Sequence, residues 1–250
     1  MMPIRERSNS STVALISVIT VCYNSALTIR RTIESVASQK YANIEHIIID
    51  GGSTDATMSI VEEHSRTVSK IVSEPDEGIY DAMNKGVSMA TGQWIHVLNS
   101  DDYYPAPDVL SAAVPMLDPE RTNYFKMWRE YDDGRRGLQD WEYSRWRLYV
   151  SAFLPHPALI VLRRQYEVAG LYNTRYRIAA DHDMILRLTA RWPGVKHDLA
   201  LTVMKQGGAS ALHLETSLRE FRSVTERHGL PRAVAAGIYQ FKKRWWKIKT

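Results

Sequence analysis

The amino-acid sequence predicts an α/β fold in which a mostly parallel sheet is covered by helices on both faces. Short apolar runs alternate with segments whose apolar residues recur at helical spacing, and this alternation is typical of a parallel sheet with crossover helices. Two of the apolar runs end in acidic loops, at Asp50 and at Asp101. Such folds bind their ligands at the carboxyl ends of the strands, so these two loops predict one shared crevice.

The first half of the chain predicts four strands and three helices in alternation. The strands are the apolar runs Leu15–Cys22, Ile44–Ile49, Val68–Val72 and Trp94–Leu98. The helices are the periodic segments 26–37, 54–64 and 79–90. Ser53 or Thr54 is suited to cap the second helix, and Gly92 is suited to end the third.

The second half is less regular and predicts mixed elements. The aromatic and charged segment 124–141 predicts a hairpin that turns at Asp132-Asp133-Gly134. The remaining elements are a strand at 158–162, a short helix at 164–169, an amphipathic helix at 181–191, a strand at 197–204 and a helix at 214–228. We therefore expect one domain at 12–230, preceded by a flexible arm at 1–11 and followed by a basic tail at 231–250.

Composition indicates an ordinary soluble globular protein. Of the 250 residues, 44% are hydrophobic and 24% are charged. No stretch approaches the ~20 apolar residues of a membrane-spanning helix. The apolar run 13–22 lacks a signal-peptide cleavage site, so we interpret it as a buried strand. The lone cysteine, Cys22, excludes an intrachain disulfide, and we expect it to pack inside a cytoplasmic protein.

The net charge of +4 is concentrated near the end of the chain. Basic residues there surround Trp245 and Trp246, namely Lys242, Lys243, Arg244, Lys247 and Lys249. Such a segment suits either the surface of a membrane with anionic lipids or a solvated helix. We expect no nucleic-acid binding, because the rest of the chain mixes both signs of charge and carries no basic stripe.

The segment Asn99-Ser100-Asp101-Asp102 follows the fourth predicted strand and gives the strongest indication of chemistry. Carboxylates at a strand end are a common way to hold a hard divalent cation beside a phosphate. With Asp50 at the end of a second strand, the crevice predicts an enzyme that acts on a nucleotide derivative.

Five segments then identify a family. They are, in chain order, ISVITVCYN, IEHIIIDGGSTDAT, SEPDEGIYDAMNKG, WIHVLNSDD and GLYNTRYRIAADHDMILRL. Together they resemble the family 2 glycosyltransferases, especially bacterial enzymes of capsule and exopolysaccharide synthesis. The resemblance implies a GT-A fold, a Rossmann-like sheet with a nucleotide-binding half at 12–104 and an acceptor half at 105–230. A smaller acceptor-side subregion and C-terminal helices complete it.

The resemblance also implies the activity. It predicts an inverting transfer of a single sugar from a nucleotide-diphosphate sugar, with a UDP-sugar favoured, to a glycan or a lipid-linked saccharide at the inner face of the membrane. Asp101 would bind Mg²⁺ or Mn²⁺, with Asp102 sharing the ion or capping the loop. Asn99 stands where the family usually has aspartate, so with Ser100 it is expected to contact ribose or sugar.

Further site residues follow from the resemblance. Asp181 matches the family's general base, although Ala180 precedes it where many relatives have glutamate. Asp183 is the alternative base, and a purely structural role for Asp181, as a cap of the helix N-terminus, is also open. His182 is expected to lie on the surface of the helix. Asp50 would accept a hydrogen bond from the nucleobase or cap its loop, whereas Asp55 is expected to be structural. The remaining donor-site candidates are Val21, Tyr23, Asn24, Asp76, Tyr80 and Asn84. The acceptor-side candidates, besides Asp183, are His156 and His213.

Alternative functions make different demands on the sequence. A nucleotidyltransferase usually has a glycine-rich loop with a lysine near the first strand, and none follows Cys22. A non-catalytic sugar-nucleotide sensor remains open, because Asn99 and Ala180 depart from the family's pattern. A dehydrogenase is excluded by the lack of G-x-G-x-x-G. A processive polymerase is disfavoured. By the resemblance, such enzymes carry a Gln/Arg-x-x-Arg-Trp signature after the general base, whereas the nearest match in this chain, at 142–146, lies before Asp181.

Overall fold

A computed structural model describes residues 13–151, 154–207 and 213–249. The strands of its sheet are β1 (Ile16–Cys22), β2 (Ile44–Asp50), β3 (Lys70–Ser73), β4 (Trp94–Val97), β5 (Thr122–Glu130), β6 (Arg136–Gln139), β7 (Leu159–Leu162) and β8 (Gly194–Lys205). The helices are α1 (Ile29–Ala37), α2 (Thr57–Glu63), α3 (Ile79–Met89), α4 (Val109–Ala113), α5 (Arg145–Val150), α6 (Arg163–Ala169), α7 (Ala180–Arg191), α8 (Leu214–Arg227) and α9 (Arg232–Lys249). The predicted arm at 1–11 lies outside the described residues.

The first four strands form the parallel half of the sheet, in the order β3-β2-β1-β4. β1 is buried along its whole length, because it pairs with β2 on one side and with β4 on the other. The chain thus moves outward from β1 in both directions, and the crevice at this reversal is the place where open α/β sheets bind ligands.

The second half makes the sheet mixed. β7 is antiparallel to both β4 and β5, whereas β8 runs parallel to β5. β5 and β6 form the predicted hairpin, whose turn contains Gly134 at a φ of 79°. A register shift between Phe125 and Met127 marks a bulge in the β5–β8 pairing. The predicted strands at 158–162 and 197–204 are confirmed as β7 and β8.

Helices cover both faces of the sheet, as the sequence predicts. On one face, Ile19 of β1 and Ile49 of β2 pack in one cluster with Met83 of α3. On the other face, Val18 of β1 packs in a cluster with Val36 of α1. Alternate residues of a strand point to opposite faces, so both faces of β1 are apolar and both are buried.

Two local expectations differ from the structure. α2 begins at Thr57 with Ala56 at its N-cap, so neither Ser53 nor Thr54 caps it, and the Asp55 carboxylate accepts a hydrogen bond from one N–H of that helix end, that of Thr57, at 2.9 Å. The helix α3 ends at Met89, before the Gly92 that was expected to end it.

The basic tail is the helix α9, which packs along α8. Glu215 of α8 joins the two helices, since it accepts a hydrogen bond from Tyr239 Oη at 2.5 Å and pairs with Lys243 at 3.1 Å. Within the described ranges, no helix combines the length and the apolar character needed to cross a membrane.

Candidate active site

The carboxyl ends of β1, β2 and β4 border a cleft of about 1140 Å³. The cleft lies where the strand order reverses between β1 and β4. Residues singled out from the sequence that line it are Val21, Tyr23, Asn24, Asp76, Asn99, Ser100 and Asp101. We refer to it as the donor cleft.

Hydrogen bonds tie the loop after β1 to the loops after β2 and β4. Asn24 has a φ of 48°, in the left-handed region that asparagine tolerates better than most residues. Its side-chain oxygen accepts a hydrogen bond from the Thr54 N–H at 2.9 Å, and its own N–H donates to Ser53 Oγ at 2.8 Å. Ser25 Oγ lies 2.8 Å from Ser100 Oγ. These bonds fix the rim of the donor cleft.

Asp50 is buried at the end of β2 and is not among the residues that line the donor cleft, so its contact with a nucleobase stays a prediction. Its carboxylate is fully buried and accepts hydrogen bonds from the N–H groups of Gly52 and Ser53, from Ser53 Oγ and from Ser73 Oγ, at 2.5–3.1 Å. Burial alone would raise the pKa of Asp50, but these hydrogen bonds hold the pKa below its usual value. Asp50 therefore shapes its own loop.

Asp76 brings a carboxylate to the wall of the donor cleft. Its Oδ1 accepts a hydrogen bond from the Gly78 N–H at 2.8 Å. Its Oδ2 approaches the backbone at Gly51 so closely that a Cβ there would lie 2.5 Å from this oxygen. A glycine directly after Asp50 thus leaves room for the Asp76 carboxylate to enter the cleft.

Asp101 and Asp102 are successive acidic residues that follow β4. Asp101 lines the donor cleft, and burial raises its pKa. Asp102 is buried, and neither of its carboxylate oxygens has a hydrogen-bond partner in the part of the chain that the structure describes. Burial first, and then the charge of Asp101, raises the pKa of Asp102 well above its usual value.

The Asp101 carboxylate fits a hard divalent cation such as Mg²⁺ or Mn²⁺, because such ions prefer oxygen ligands, whereas the buried Asp102 is not among the residues that line the cleft. Residues 13–151, 154–207 and 213–249 contain no cluster of three or more histidine, cysteine or acidic side chains poised to hold a metal. A metal at Asp101 would therefore take much of its coordination from water and from the diphosphate of a bound nucleotide.

Asp181 lies in the first turn of α7 and is connected to the donor cleft through His156. Asp181 Oδ2 lies 3.6 Å from His156 Nδ1, and His156 Nε2 lies 3.2 Å from Asn99 Oδ1 on the cleft wall. Asp181 Oδ1 accepts a hydrogen bond from Tyr80 Oη at 3.3 Å. The Asp181 side chain remains 27% exposed, so a ligand can reach it.

The environment of Asp181 favours its ionised form. Burial alone would raise its pKa, but the interaction with His156, 3.6 Å away, holds the pKa below its usual value. An ionised, partly exposed carboxylate beside a ligand cleft is suited to accept a proton from a hydroxyl group.

Glu220 of α8 holds the loop that leads into α7, and the sequence analysis missed it. Its two oxygens accept hydrogen bonds from the N–H groups of residues 177, 178 and 179, at 2.9, 2.8 and 3.1 Å. Ala180, where many relatives have glutamate by the resemblance, is fully buried. A carboxylate from a distant helix therefore supports Asp181, and no local pattern in the sequence marks this contact.

Tyr80 and Asn84 are not among the residues that line the donor cleft, so their contact with a donor stays a prediction. The Tyr80 ring is buried, and its single hydroxyl proton is shared between Asp181 Oδ1 and the carbonyl of Ile178, which is the nearer acceptor at 2.5 Å. Asn84 exchanges two hydrogen bonds with the backbone of Tyr172, at 2.8 and 2.9 Å. Both residues therefore fasten α3 to the segment before α7.

Asp183 and His182 point away from the cluster around Asp181. Asp183 is buried and pairs with Arg187 at 2.9 Å and with His228 at 2.8 Å. His182 is also buried and stacks on Phe221 at 4.8 Å, so the expectation that it lies on the helix surface is wrong. Burial lowers the pKa of His182 to about 4, so this ring is neutral.

A second cavity, of about 400 Å³, lies on the other side of α3's first turn. We refer to it as the α8-side cavity. Its described lining includes Tyr80 and Asp81 of α3, Tyr176 and Arg177 before α7, and Thr216 of α8, together with His213. His213 thus lies in this cavity and not beside Asp101.

Lys205 is a donor-cleft residue that the sequence analysis did not select. It ends β8 and lines the cleft, where its positive charge opposes the rise in the pKa of Asp101 that burial causes. Its position after a predicted strand and before Gly207-Gly208 could have indicated a cleft residue, since this fold places functional residues at strand ends.

A comparison of the sequence with protein families decides what kind of protein this geometry serves. The family model described as "Glycosyl transferase family 2" matches residues 17–172, which is more than half of the chain. The chain belongs to glycosyl transferase family 2. Its fold is the expected GT-A fold, and most of the donor cleft lies inside the matched residues, whereas Asp181 and Lys205 lie beyond them.

Relatives in this family share about a third of the aligned sequence. An uncharacterised glycosyltransferase of Mycobacterium tuberculosis is 35% identical over 178 residues, which cover 69% of this chain and 68% of that protein. A PGL/p-HBAD biosynthesis glycosyltransferase of Mycobacterium bovis is 30% identical over 179 residues, 69% of each chain. The hyaluronan synthase of Pasteurella multocida is 30% identical, but only 20% of its length is covered.

Solved structures support the fold. Staphylococcus aureus TarS 1–349 in complex with UDP-GlcNAc has a TM-score of 0.67 at 19% identity, covering 90% of this chain and 70% of that chain. The mannosyltransferase PcManGT from Pyrobaculum calidifontis in complex with GDP-Man and Mn²⁺ has a TM-score of 0.63 at 18% identity, covering 91% and 73%.

Proposed function

We propose that this glycosyltransferase moves a single sugar from a UDP-sugar to a hydroxyl of a glycan or lipid-linked saccharide, in one displacement that inverts the anomeric centre. The observation that carries the proposal is the chain of contacts from Asn99 through His156 to Asp181. It connects the wall of the donor cleft, where Asp101 lies, to an ionised carboxylate outside that cleft.

The donor cleft suits a nucleotide diphosphate. Tyr23 is 62% exposed on the rim and offers an aromatic face to a base, while the Asp76 carboxylate offers an acceptor to an imide N–H. Lys205 lies in the same cleft as Asp101 and suits the phosphates. Complexes with UDP-GlcNAc and with GDP-Man plus Mn²⁺ in neighbours of the same fold support this choice of ligand.

When bound at Asp101, Mg²⁺ or Mn²⁺ would neutralise charge on the departing diphosphate. Asp181 accepts the proton of the attacking hydroxyl, and no covalent intermediate with the protein is needed. The attack comes from the face of the sugar opposite the leaving group, so an α-linked donor gives a β-linked product. The geometric demands parallel those of inverting glycoside hydrolysis, with an acceptor hydroxyl in place of water.

The α8-side cavity suits the acceptor. Tyr80, whose ring lines this cavity, donates to Asp181, so the base lies between this cavity and the Asn99 wall of the donor cleft. The rings of Tyr80 and Tyr176 and the hydroxyl of Thr216 are suited to a saccharide, which presents both apolar faces and hydroxyl groups. We place the reaction in the cytoplasm, since the free Cys22 suits a reducing compartment.

A panel of UDP-sugars and saccharide acceptors, with and without Mn²⁺, tests the proposal. We expect metal-dependent release of UDP and a β-linked product. Asp181→Asn should lower kcat by about 10²-fold or more while UDP still binds. Asp198→Asn, at a side chain that is 85% exposed, is the matched control. Wild-type protein that binds UDP-sugars but transfers none of them would instead be a sensor.

A further inference from the structure

The helix α9 carries an apolar stripe that faces away from the rest of the protein. Val234, Ile238, Phe241 and Trp245 follow one another at spacings of four, three and four residues, which places them on one side of a helix. Val234, Phe241 and Trp245 are 43%, 67% and 52% exposed. The rings of Phe241 and Trp245 stack with their centroids 6.2 Å apart. We refer to these four residues as the α9 outer face.

The opposite side of α9 is fixed to α8, so the α9 outer face has a defined direction. Ala235 is buried on that inner side, and Tyr239 and Lys243 both bond to Glu215. Lys242 Nζ lies 3.7 Å from the centre of the Phe221 ring, and burial there lowers the pKa of Lys242 to about 8. The stripe therefore cannot turn inward without breaking these contacts.

The charge around the stripe selects its partner. No acidic residue follows Glu226, whereas the sequence from there on contains Arg227, Arg232, Lys242, Lys243, Arg244, Lys247 and Lys249, of which Lys242 and Lys243 are held against α8. A second copy of this chain would bring like charges together across the stripe, which is unfavourable. An exposed apolar and aromatic stripe, on a helix that carries cations such as the exposed Arg244 and no acidic residue, is instead suited to lie in the interface of a membrane that contains anionic lipids.

We propose that the α9 outer face docks on an anionic lipid surface, with α9 lying in the plane of the interface. This docking does not depend on the proposed transfer reaction. One consequence does rest on it: Glu215, which holds α9, directly precedes Thr216 in the lining of the α8-side cavity. Docking therefore holds the proposed acceptor cavity beside the surface that carries a lipid-linked saccharide.

Co-sedimentation of the whole protein with vesicles tests the docking. We expect binding to vesicles of phosphatidylcholine mixed with phosphatidylglycerol to exceed binding to phosphatidylcholine alone by tenfold or more. Added salt should weaken the binding, because it screens the attraction between cations and lipid headgroups. Phe241→Ser/Trp245→Ser should reduce the partition coefficient at least tenfold, and Arg244→Gln should reduce it by a smaller factor.

The matched control is Val168→Ser/Leu171→Ser, which removes two apolar side chains that are each 43% exposed near α6. It should bind vesicles as the wild type does, and circular dichroism should show that both double variants are folded. Equal binding to the two vesicle types, or unchanged binding of Phe241→Ser/Trp245→Ser, overturns the proposal. So does a dimer in solution that this variant dissociates, since the occupant would then be a second copy. None of these outcomes depends on sugar transfer.

Discussion

Glu220 offers a test of how this enzyme positions its candidate base without a glutamate at position 180. The substitution Glu220→Ala removes all three hydrogen bonds that fix residues 177–179, and it touches neither the donor cleft nor Asp181 itself. We expect both the stability of the protein and its kcat to fall, because the loop that leads into α7 loses its anchor.

The size of the effect follows from the bonds that are lost. A hydrogen bond to a charged group contributes about 1.5–3 kcal/mol when it is well buried. Glu220 is only half-buried, so water replaces part of each bond, and about 1 kcal/mol for each gives a loss of about 3 kcal/mol in all. In a domain of this size, 1 kcal/mol lowers Tm by about 2–4 °C, so Tm should fall by about 6–12 °C.

The assay is thermal unfolding combined with steady-state kinetics well below Tm. A shift of the base by about 1 Å costs about 10²-fold in rate, so kcat should fall strongly while the KM for the UDP-sugar changes little. Glu226→Ala is the control, because it removes a partly exposed ion pair with Arg222 on the same helix and should change either quantity little. If the two variants have the same Tm and the same kcat, Glu220 does not hold the loop.

Two further substitutions test the donor cleft and the support of α7. Gly51→Ala should weaken UDP binding by about tenfold, or ~1.4 kcal/mol, because the Cβ of the alanine displaces the Asp76 carboxylate. Tm should change little. An unchanged Kd for UDP in titration calorimetry would contradict this prediction. Burial alone would raise the pKa of Asp183, but His228 and Arg187 hold it below its usual value, so its stabilisation is present above about pH 4 and is lost as the pH falls through its folded-state pKa. Asp183→Asn should therefore lower Tm at pH 7, and its Tm should fall less than that of the wild type when the pH is lowered to about 3. If the Tm of the two proteins falls equally with pH, this reasoning is refuted.

The parallel half of the fold could be predicted because each of its strands is a short apolar run that ends at a turn. β1 and β2 are buried on both faces, so their sequences are continuously apolar, and the helix stripes between them leave few alternatives. The pairing of β7 with both β4 and β5 could not be predicted, because strands far apart in sequence meet there and no short-range pattern specifies their partners.

The site was predictable where function coincides with a strand end and unpredictable where it depends on packing. Asp101 lies in the donor cleft as expected. Asp50 also ends a strand, yet its carboxylate oxygens already accept hydrogen bonds from Gly52, Ser53 and Ser73. These hydrogen bonds depend on how the loops fold and are not visible in the sequence. Glu220 acts across 41 residues or more of chain, so its role depends on how α8 docks.

The two cavities share only Gly78 and Ile79 among the described residues that line them. Substitutions at Thr174, Arg177 or Thr216 therefore leave the lining of the donor cleft unchanged. If the α8-side cavity binds the acceptor as we propose, this separation would allow a lineage to exchange one saccharide acceptor for another while it keeps the same activated sugar. Directed evolution of new linkages in this scaffold has an obvious starting point, in the segment before α7 and in the first turn of α8.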